Sequence, residues 1–384
     1  MASVTTSATR NDPGAKRERF YRPELDCLRF FAFFAVFIYH TIGRDAAYFS
    51  ARGIPFGSLI ESAASAGRFG VDLFFLLSAY LITELLLREQ EQCGKLDLRL
   101  FYARRILRIW PLYFLGLLIG VLLPLVDSSQ YFPLKYAVSF VFMAGNLLPL
   151  FSNLRFLVRS VMWALWSVSL EEQFYLLWPA VISRAGQRRR LLYFAGGFLI
   201  VATLARQFLL GYARAQHSEV LIASNTLTRL DPLALGIVAA VLLWKKQNPL
   251  SELLRVSFLF AGGGLWLAAG HFYSQARIFV FLGFPTIALG ASLIFLATLG
   301  SPLAPQWLRY LGKISYGLYV FHMLAIHLSL KLWGGYVHNL QSFVASWCLS
   351  LLLTVAMAAA SYKYFESPFL RLKERFTRIE SRPV

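Results

Sequence analysis

The stretch LRFFAFFAVFIYHTIG, residues 28–43, is strongly apolar but carries Arg29 and His40. Ten residues separate these two side chains, and an eleven-residue step in an α-helix turns by roughly 1100°, close to three whole turns. Both side chains therefore lie on one face of the helix. A cation and an imidazole are costly in lipid, so we expect them to face a protein interior and to serve chemistry or binding. The simpler alternative is a satisfied polar contact between two helices.

The composition is that of an integral membrane protein. Hydrophobic residues make up 57% of the 384 residues and charged residues only 15%, and apolar stretches of spanning length recur along nearly the whole chain. The formal net charge is +18. The basic residues stand in short runs between apolar stretches, which is typical of the cytoplasmic loops of membrane proteins. We therefore expect a lipid bilayer as partner and no nucleic acid.

Ten segments are long enough, or nearly so, to cross about 30 Å of hydrocarbon. They are residues 24–43, 69–88, 105–125, 166–183, 191–210, 231–244, 254–271, 277–299, 310–333 and 342–366. Residues 136–150 are ambiguous, and we interpret them as an interfacial or re-entrant helix because this choice leaves most Lys and Arg in the cytoplasm. The predicted fold is an all-α integral membrane bundle of about ten transmembrane helices with that additional short helix. Both termini are predicted to be cytoplasmic.

The membrane domain is predicted to span residues 24–366. Residues 1–23 are polar and basic, and we expect a disordered cytoplasmic tail there. Residues 367–384 are predicted to form a charged cytoplasmic tail with a helix on the membrane surface. The chain has three cysteines, Cys27, Cys93 and Cys348. Their number is odd and their spacing is not that of metal ligands, so we expect reduced thiols and no metal site.

Polar residues in the outer half of the predicted spans form one group around His40. The acidic members are Asp72, Glu171, Glu172 and Asp231. A histidine beside a carboxylate such as Asp72 is the usual general base for a hydroxyl, since the carboxylate fixes the tautomer and raises the basicity. We predict His40, Asp72, Glu171 and Glu172 as catalytic residues. Consecutive residues point about 100° apart on a helix, so at most one of the two glutamates should enter the site.

A second group lies at the cytoplasmic ends of the spans. Its members are Arg29, Arg104, Arg105, Arg108 and Glu366. Arg105 and Arg108 are three residues apart at a predicted helix start, so they share a face near free backbone N–H groups, which favours phosphate. The alternative is a positive-inside anchor. An acyl-CoA, which is a phosphorylated carrier with a long thin arm, would dock on these arginines and extend past Arg29 towards His40.

The remaining polar residues are weaker candidates. No serine or cysteine nucleophile has a comparable setting, so direct transfer is expected, and Ser78 and Ser169 are interpreted as helix-packing hydroxyls. His322 and Tyr319 share one predicted span, where the histidine lines the cavity or pairs with a tyrosine. Together with Asp231 they are the predicted acceptor-binding residues. Four further histidines are expected to be solvated, namely His217, His271, His327 and His338.

Seven motifs follow one another along the chain. They are PELDCLRFFAFFAVFIYH, FGVDLFFLLSAYLIT, FYARRILRIWPLY, WSVSLEEQFYLLWP, TRLDPLALG, LGKISYGLYVFH and YFESPF. Together, and over essentially the whole chain, they resemble the acyltransferase-3 family of integral-membrane acyltransferases, bacterial enzymes that O-acylate surface sugars and some macrolides. The resemblance implies that His40 is the catalytic histidine and that Arg29, Arg105 and Arg108 serve the acyl-CoA. It also implies that a glutamate of WSVSLEEQ is needed.

The expected function is transfer of an acyl group, most simply acetyl, from cytoplasmic acyl-CoA to a hydroxyl of a carbohydrate or glycosylated acceptor. The resemblance implies a location in the bacterial inner membrane. A polytopic transporter with a buried charge relay is the alternative, since buried charges also mark transport paths. The sequence shows no inverted repeat and no pair of spans broken by Gly or Pro, which counts against transport. A purely structural membrane protein would not need a buried arginine, histidine and acids.

Overall fold

The computed structural model describes residues 20–42, 49, 51, 56–151, 160–215, 219–246, 250–271, 279–332 and 340–379. Over these residues the chain is helical, and no strand occurs among them. The principal helices are α1 (Pro23–Ile42), α2 (Gly57–Ala66), α3 (Gly70–Cys93), α4 (Leu98–Leu122), α5 (Leu134–Val141), α6 (Leu165–Ala185), α7 (Leu191–Ala215), α8 (Glu219–Ser224), α9 (Leu230–Leu242), α10 (Glu252–His271), α11 (Phe284–Thr298), α12 (Gln306–Lys313), α13 (Ser315–Leu332), α14 (Leu340–Ser361) and α15 (Ser367–Glu374). The predicted all-α fold is therefore confirmed.

Seven helical stretches in the described part of the chain are long and apolar enough to cross a membrane. They are Pro23–Ile42, Gly57–Cys93, Leu98–Leu125, Arg188–Tyr212, Glu252–His271, Val280–Thr298 and Leu340–Glu374. Each overlaps one predicted span. The other three predicted spans overlap α6, α9 and α13, so the structure gives seven clear candidates where the sequence predicts about ten.

The three weaker spans differ from the seven for physical reasons. Helix α9 has 13 residues, so its length is about 20 Å, well short of the hydrocarbon thickness. Helix α6 contains the two neighbouring glutamates, and α13 contains two histidines and a lysine. These polar side chains lower the mean hydropathy of helices that are otherwise long enough. The residues that weaken the membrane signal include those that we predicted for the site.

Helix α3 lies at the centre of the bundle. Of its apolar window 78% is buried, against 22–50% for the other candidate spans. It packs against α1, α6, α9 and α11. The buried apolar side chains of the described residues form two clusters. One side of α3 contributes Phe75 and Ala79 to one cluster, and the other side contributes Leu76 and Tyr80 to the other cluster. Helix α3 therefore joins the two apolar clusters and packs directly against α1 and α6, two helices that carry predicted site residues.

Two glycines allow close approach of helix backbones to this central region. A Cβ atom at Gly70 would collide with the backbone oxygen of Ala32 in α1. A Cβ atom at Gly236 in α9 would likewise collide with the backbone oxygen of Leu76 in α3. Small residues at such crossings are the usual means by which membrane helices pack tightly.

Two predicted helix boundaries change in the structure. Helix α4 begins at Leu98, where Asp97 accepts a hydrogen bond from the backbone N–H of Leu100, so Arg105 lies about two turns inside the helix. The prediction that free N–H groups lie beside Arg105 is therefore wrong, because those groups are bonded within the helix.

At residues 136–150 the structure has the eight-residue α5, about 12 Å long, and a 3₁₀ turn at Gly145–Leu150. Neither is long enough to span a bilayer.

The C-terminal segment packs against the bundle and is not only a surface helix. The Arg104 side chain donates a hydrogen bond of 2.9 Å to the backbone oxygen of Phe376. Arg378 forms an ion pair of 3.2 Å with Asp97, just before α4. Lys373 is buried, as is Ile379 near the end of the described chain. Residues 1–19, which hold most of the predicted N-terminal tail, lie outside the described residues.

Candidate active site

A cavity of about 210 Å³ lies between α1, α3, α4, α6 and α13, near the end of the bundle where α1 and α4 begin. All four predicted donor-binding arginines line it, namely Arg29, Arg104, Arg105 and Arg108. Arg29 comes from α1, and the other three come from the first half of α4. The structure therefore brings together side chains that are 75 or more positions apart in the sequence.

The lining of this cavity carries more positive than negative side chains. The cationic residues are Arg22, Arg29, Arg104, Arg105, Arg108, Lys313 and Lys373. The acidic residues are Asp26, Glu89, Glu171 and Glu366. Lys313 and Lys373 were not predicted for the site. Lys313 could have been predicted for the site, because it lies within the motif LGKISYGLYVFH. Lys373 could not, because nothing in the sequence shows that the C-terminal segment folds over the cavity.

Two of the arginines already have anionic partners. Arg104 donates a hydrogen bond of 2.6 Å to the Glu89 carboxylate, in addition to its bond to the Phe376 carbonyl. Arg29 donates a hydrogen bond of 2.8 Å to Asp26, one turn earlier on α1. These pairs hold the two guanidinium groups in place at the cavity wall. Arg104 thus has a structural task as well as a place in the cavity.

Arg105 has a different environment. Its guanidinium carbon lies 5.6 Å from the ring centre of Phe101 and 5.3 Å from that of Tyr175. In the part of the chain that the structure describes, no ion pair or hydrogen bond involves its side chain. Aromatic faces hold a guanidinium without using up its N–H donors. Arg105 is therefore the arginine of this cavity best prepared to bind an added anion.

The two neighbouring glutamates point to different places. The Glu171 carboxylate lines the cavity and accepts hydrogen bonds from Ser78 Oγ at 2.9 Å and from the Tyr175 hydroxyl at 3.1 Å. Glu172 accepts a hydrogen bond of 2.9 Å from Trp110 Nε1 on α4 and is not among the lining residues. Ser78, interpreted as a helix-packing hydroxyl, does join α3 to α6 through this hydrogen bond, but it also lines the cavity and orients Glu171.

His40 lies beyond the cavity, about 26 Å along α1 from Pro23. Its ring centre is 5.2 Å from that of His322 on α13. The His322 ring is in turn 5.4 Å from that of Tyr319, which lines the cavity. Three predicted residues thus form a continuous series of rings that leads from the cavity wall to His40.

The two aspartates predicted for the site have other partners. Asp72 accepts a hydrogen bond of 2.7 Å from Arg229, and Asp231 forms a two-point ion pair with Arg206 at 2.5 and 3.1 Å. Neither aspartate lines the cavity, and in the described residues none of the hydrogen bonds of Asp72 involves His40. The predicted pairing of Asp72 with His40 is therefore wrong, because a buried carboxylate pairs with the nearest buried cation. Arg206 was recognisable in sequence, since it stands within a predicted span.

The other histidines also differ from one another. His327 was expected to be solvated, but it is half-buried and its Nε2 lies 2.8 Å from a carboxylate oxygen of Asp127. His271 is exposed at the end of α10. His217 and His338 lie outside the described residues. In the ranges that the structure describes, no group of three His, Cys, Asp or Glu residues could hold a metal ion.

The comparisons with known proteins agree with the seven motifs. A family model described as an acyltransferase domain, that of the acyltransferase-3 family, matches residues 22–363. The O-acetyltransferase OatA of Staphylococcus aureus strain NCTC 8325 is 28% identical over 376 residues, which cover 91% of this chain and 57% of OatA. The protein SAS0844 of S. aureus strain MSSA476, provisionally named an O-acetyltransferase, is 26% identical over 396 residues, 94% of this chain and 59% of that protein.

This chain spans a little under three fifths of the length of these relatives. No solved structure matches it. The matched region runs from the start of α1 to just beyond the end of α14, so it contains every helix that carries a predicted site residue. The chain therefore belongs to the acyltransferase-3 family.

Proposed function

We propose that this protein is a membrane O-acyltransferase that moves an acyl group, most simply acetyl, from acyl-CoA to a hydroxyl of a carbohydrate or glycosylated acceptor. One observation carries the proposal: four arginines line a cavity inside an apolar helix bundle, and a series of rings leads from that cavity to His40. The names of the relatives, O-acetyltransferase for OatA and provisionally so for SAS0844, support acetyl as the group transferred.

The cationic cavity is proposed to hold the phosphate groups of the donor. Arginine suits this task because its planar guanidinium donates several hydrogen bonds to phosphate oxygens in a fixed geometry. Arg105 is the leading ligand, since its N–H groups are not committed to an ion pair among the described residues. Arg29, Arg104 and Arg108 add positive charge to the same wall. The apolar parts of the lining, such as Phe74 and Ile82, are proposed to contact the arm of the donor.

His40 is proposed to be the general base. It takes the proton of the acceptor hydroxyl, the hydroxyl oxygen forms a bond to the thioester carbonyl carbon, and the carbon–sulfur bond then breaks. The CoA thiolate that leaves takes up a proton, so the reaction yields an O-acyl ester and free CoA. A positioned histidine base contributes about 10²- to 10⁴-fold in rate. Glu171, held by Ser78 and Tyr175, is the carboxylate proposed to act in the cavity.

The orientation in the membrane is part of the proposal. We infer that the arginine-lined end of the bundle faces the cytoplasm of a bacterial inner membrane and that both termini lie there. The basic residues that surround this end support this orientation, because they follow the positive-inside rule. The acceptor would then reach His40 from the outer half of the bundle.

The test is acyl transfer by the purified protein in lipid nanodiscs. Labelled acetyl-CoA is supplied with a panel of glycans, and label in the glycan fraction and free CoA are measured together. We expect both products from the natural protein, at least 100-fold less from His40→Gln, and normal amounts from the control His271→Gln, whose histidine is exposed at the end of α10.

Two results would contradict this proposal. Transfer by His40→Gln at more than a few per cent of the natural rate would remove His40 from the mechanism. Uptake of a labelled solute into proteoliposomes, without any acylated product, would instead favour the transporter.

A further inference from the structure

His322 is a fully buried side chain, and one of its ring nitrogens has no hydrogen-bond partner among the described residues. Its exposed fraction is 0%, and its Nδ1 lies 2.5 Å from the backbone oxygen of Tyr319 in the same helix. In the described part of the chain, its Nε2 is buried and makes no hydrogen bond. A buried polar atom without a partner is unfavourable and therefore points to a function.

The hydrogen bond to Tyr319 determines the tautomer of His322. A carbonyl oxygen only accepts hydrogen bonds, so Nδ1 must carry the proton and donate it. In the neutral imidazole, Nε2 then holds a free lone pair and acts only as an acceptor. The unpartnered atom of His322 is thus an acceptor that requires an N–H or O–H group.

Two rings beside His322 carry an N–H or O–H group. The hydroxyl of Tyr319, whose ring centre is 5.4 Å away, is already hydrogen-bonded to Ser167, so His40 is the better candidate. The ring centre of His40 is 5.2 Å away with an angle of 49° between the ring planes, a separation at which ring nitrogens that face each other lie within hydrogen-bond distance. Phe33, at 6.1 Å, closes another side with an apolar edge. The carboxylate expected beside His40, that of Asp72, is bonded to Arg229 instead.

We infer that His322 is the positioning residue of the catalytic histidine. Its Nε2 accepts a hydrogen bond from one N–H of His40, which leaves the other His40 nitrogen deprotonated and directed at the acceptor hydroxyl. His322 does not itself take the proton of the acceptor. This inference rests on the proposed function of His40.

A neutral imidazole suits this place better than a carboxylate. An ionised carboxylate inside an apolar bundle needs a paired cation, as Asp72 and Asp231 show with Arg229 and Arg206. An uncharged acceptor fixes the His40 tautomer without a further charge in this region. The backbone of Tyr319 then has the orienting role that a third group has in other catalytic arrangements.

The experiment compares His322→Leu and His322→Gln in the acetyl-transfer assay, with His327→Gln as the control from the same helix. Leucine keeps an apolar volume but cannot accept a hydrogen bond, whereas the glutamine amide oxygen can. We expect kcat to fall about 100-fold in His322→Leu at an unchanged KM for acetyl-CoA, and to recover at least tenfold in His322→Gln. His327→Gln should keep the natural kcat.

The outcomes separate the inference from the proposed function. If the natural protein transfers no acetyl group, the proposed function fails. If it does so in a manner that needs His40, but His322→Leu keeps its kcat or matches His322→Gln, the inference about His322 is overturned and the residue is only packing.

A second measurement uses the natural protein and does not depend on the folding of a variant. Nitrogen NMR shifts of ¹⁵N-histidine-labelled protein should show a buried neutral ring, at His322, with the proton on Nδ1. A proton on Nε2 of that ring would contradict the inference, because Nε2 could then accept nothing from His40.

Discussion

Replacement of Arg105 by methionine tests the donor site most directly. Methionine keeps an apolar side chain against Phe101 and Tyr175, whose ring centres lie 5.6 and 5.3 Å from the guanidinium carbon. The loss of a charge-assisted hydrogen bond to phosphate costs about 1.5–3 kcal/mol. This corresponds to a rise of roughly 10- to 150-fold in the KM for acetyl-CoA.

The same substitution should have little effect on stability. Arg105 is half-buried, so its two cation–π contacts are worth about 0.5–2 kcal/mol each. Contacts between methionine sulfur and the same rings replace part of that, and methionine also removes the unfavourable desolvation of the guanidinium. Arg104→Met is the matched control one position earlier. It leaves Glu89, whose side chain is 3% exposed, with only the longer ion pair of 3.9 Å to Arg378, and should lower the free energy of unfolding by up to roughly 3 kcal/mol.

The assay measures initial rates over a range of acetyl-CoA at saturating acceptor, then over a range of acceptor, and thermal unfolding in the same nanodiscs. We expect Arg105→Met to raise the KM for acetyl-CoA only, and Arg104→Met to lower the unfolding temperature. An unchanged KM for acetyl-CoA in Arg105→Met, or an equal change for both substrates, would refute the role of Arg105 in phosphate binding.

Three further predictions follow from other contacts. Arg206→Met should destabilise the protein by about 3–5 kcal/mol in thermal unfolding, because it leaves Asp231 charged and buried. The double variant that also has Asp231→Leu should regain most of the lost stability, and equal stability of the single and double variants would contradict this. Hydrogen bonds from Lys331, Ser129 and His327 hold the pKa of Asp127 well below its ordinary 3.8. The free energy of unfolding of the natural protein should therefore exceed that of Asp127→Asn by its full amount above about pH 5, and the difference should shrink as the pH falls below 4; a constant difference would argue against the contact. In a background without the native cysteines, an impermeant thiol reagent applied outside cells should label a cysteine at Ser62 but reach one at Gln187 only after permeabilisation, and the reverse pattern would invert the proposed orientation.

The sequence by itself determined the helical elements and part of the site. Hydropathy and the 3.6-residue period are properties of neighbouring residues, so they placed a helix within each predicted span and placed Arg29 and His40 on one face of α1. The arginines at 104, 105 and 108 are likewise close in sequence, and they line one cavity together with Arg29. The order of the seven motifs was enough to indicate the family, which the match over residues 22–363 confirms.

Only the tertiary structure decided which partners the polar side chains have. Depth in the membrane put Asp72 level with His40, but the carboxylate pairs with Arg229, which is 157 positions away in sequence and on a neighbouring segment. The roles of Ser78 and Lys373 depend in the same way on how α3 and the C-terminal segment pack around the cavity. The direction of a side chain is a local property, whereas the identity of its partner depends on which helices are neighbours. Helix packing, not the local pattern, therefore gives His40 the neighbour His322 instead of a carboxylate.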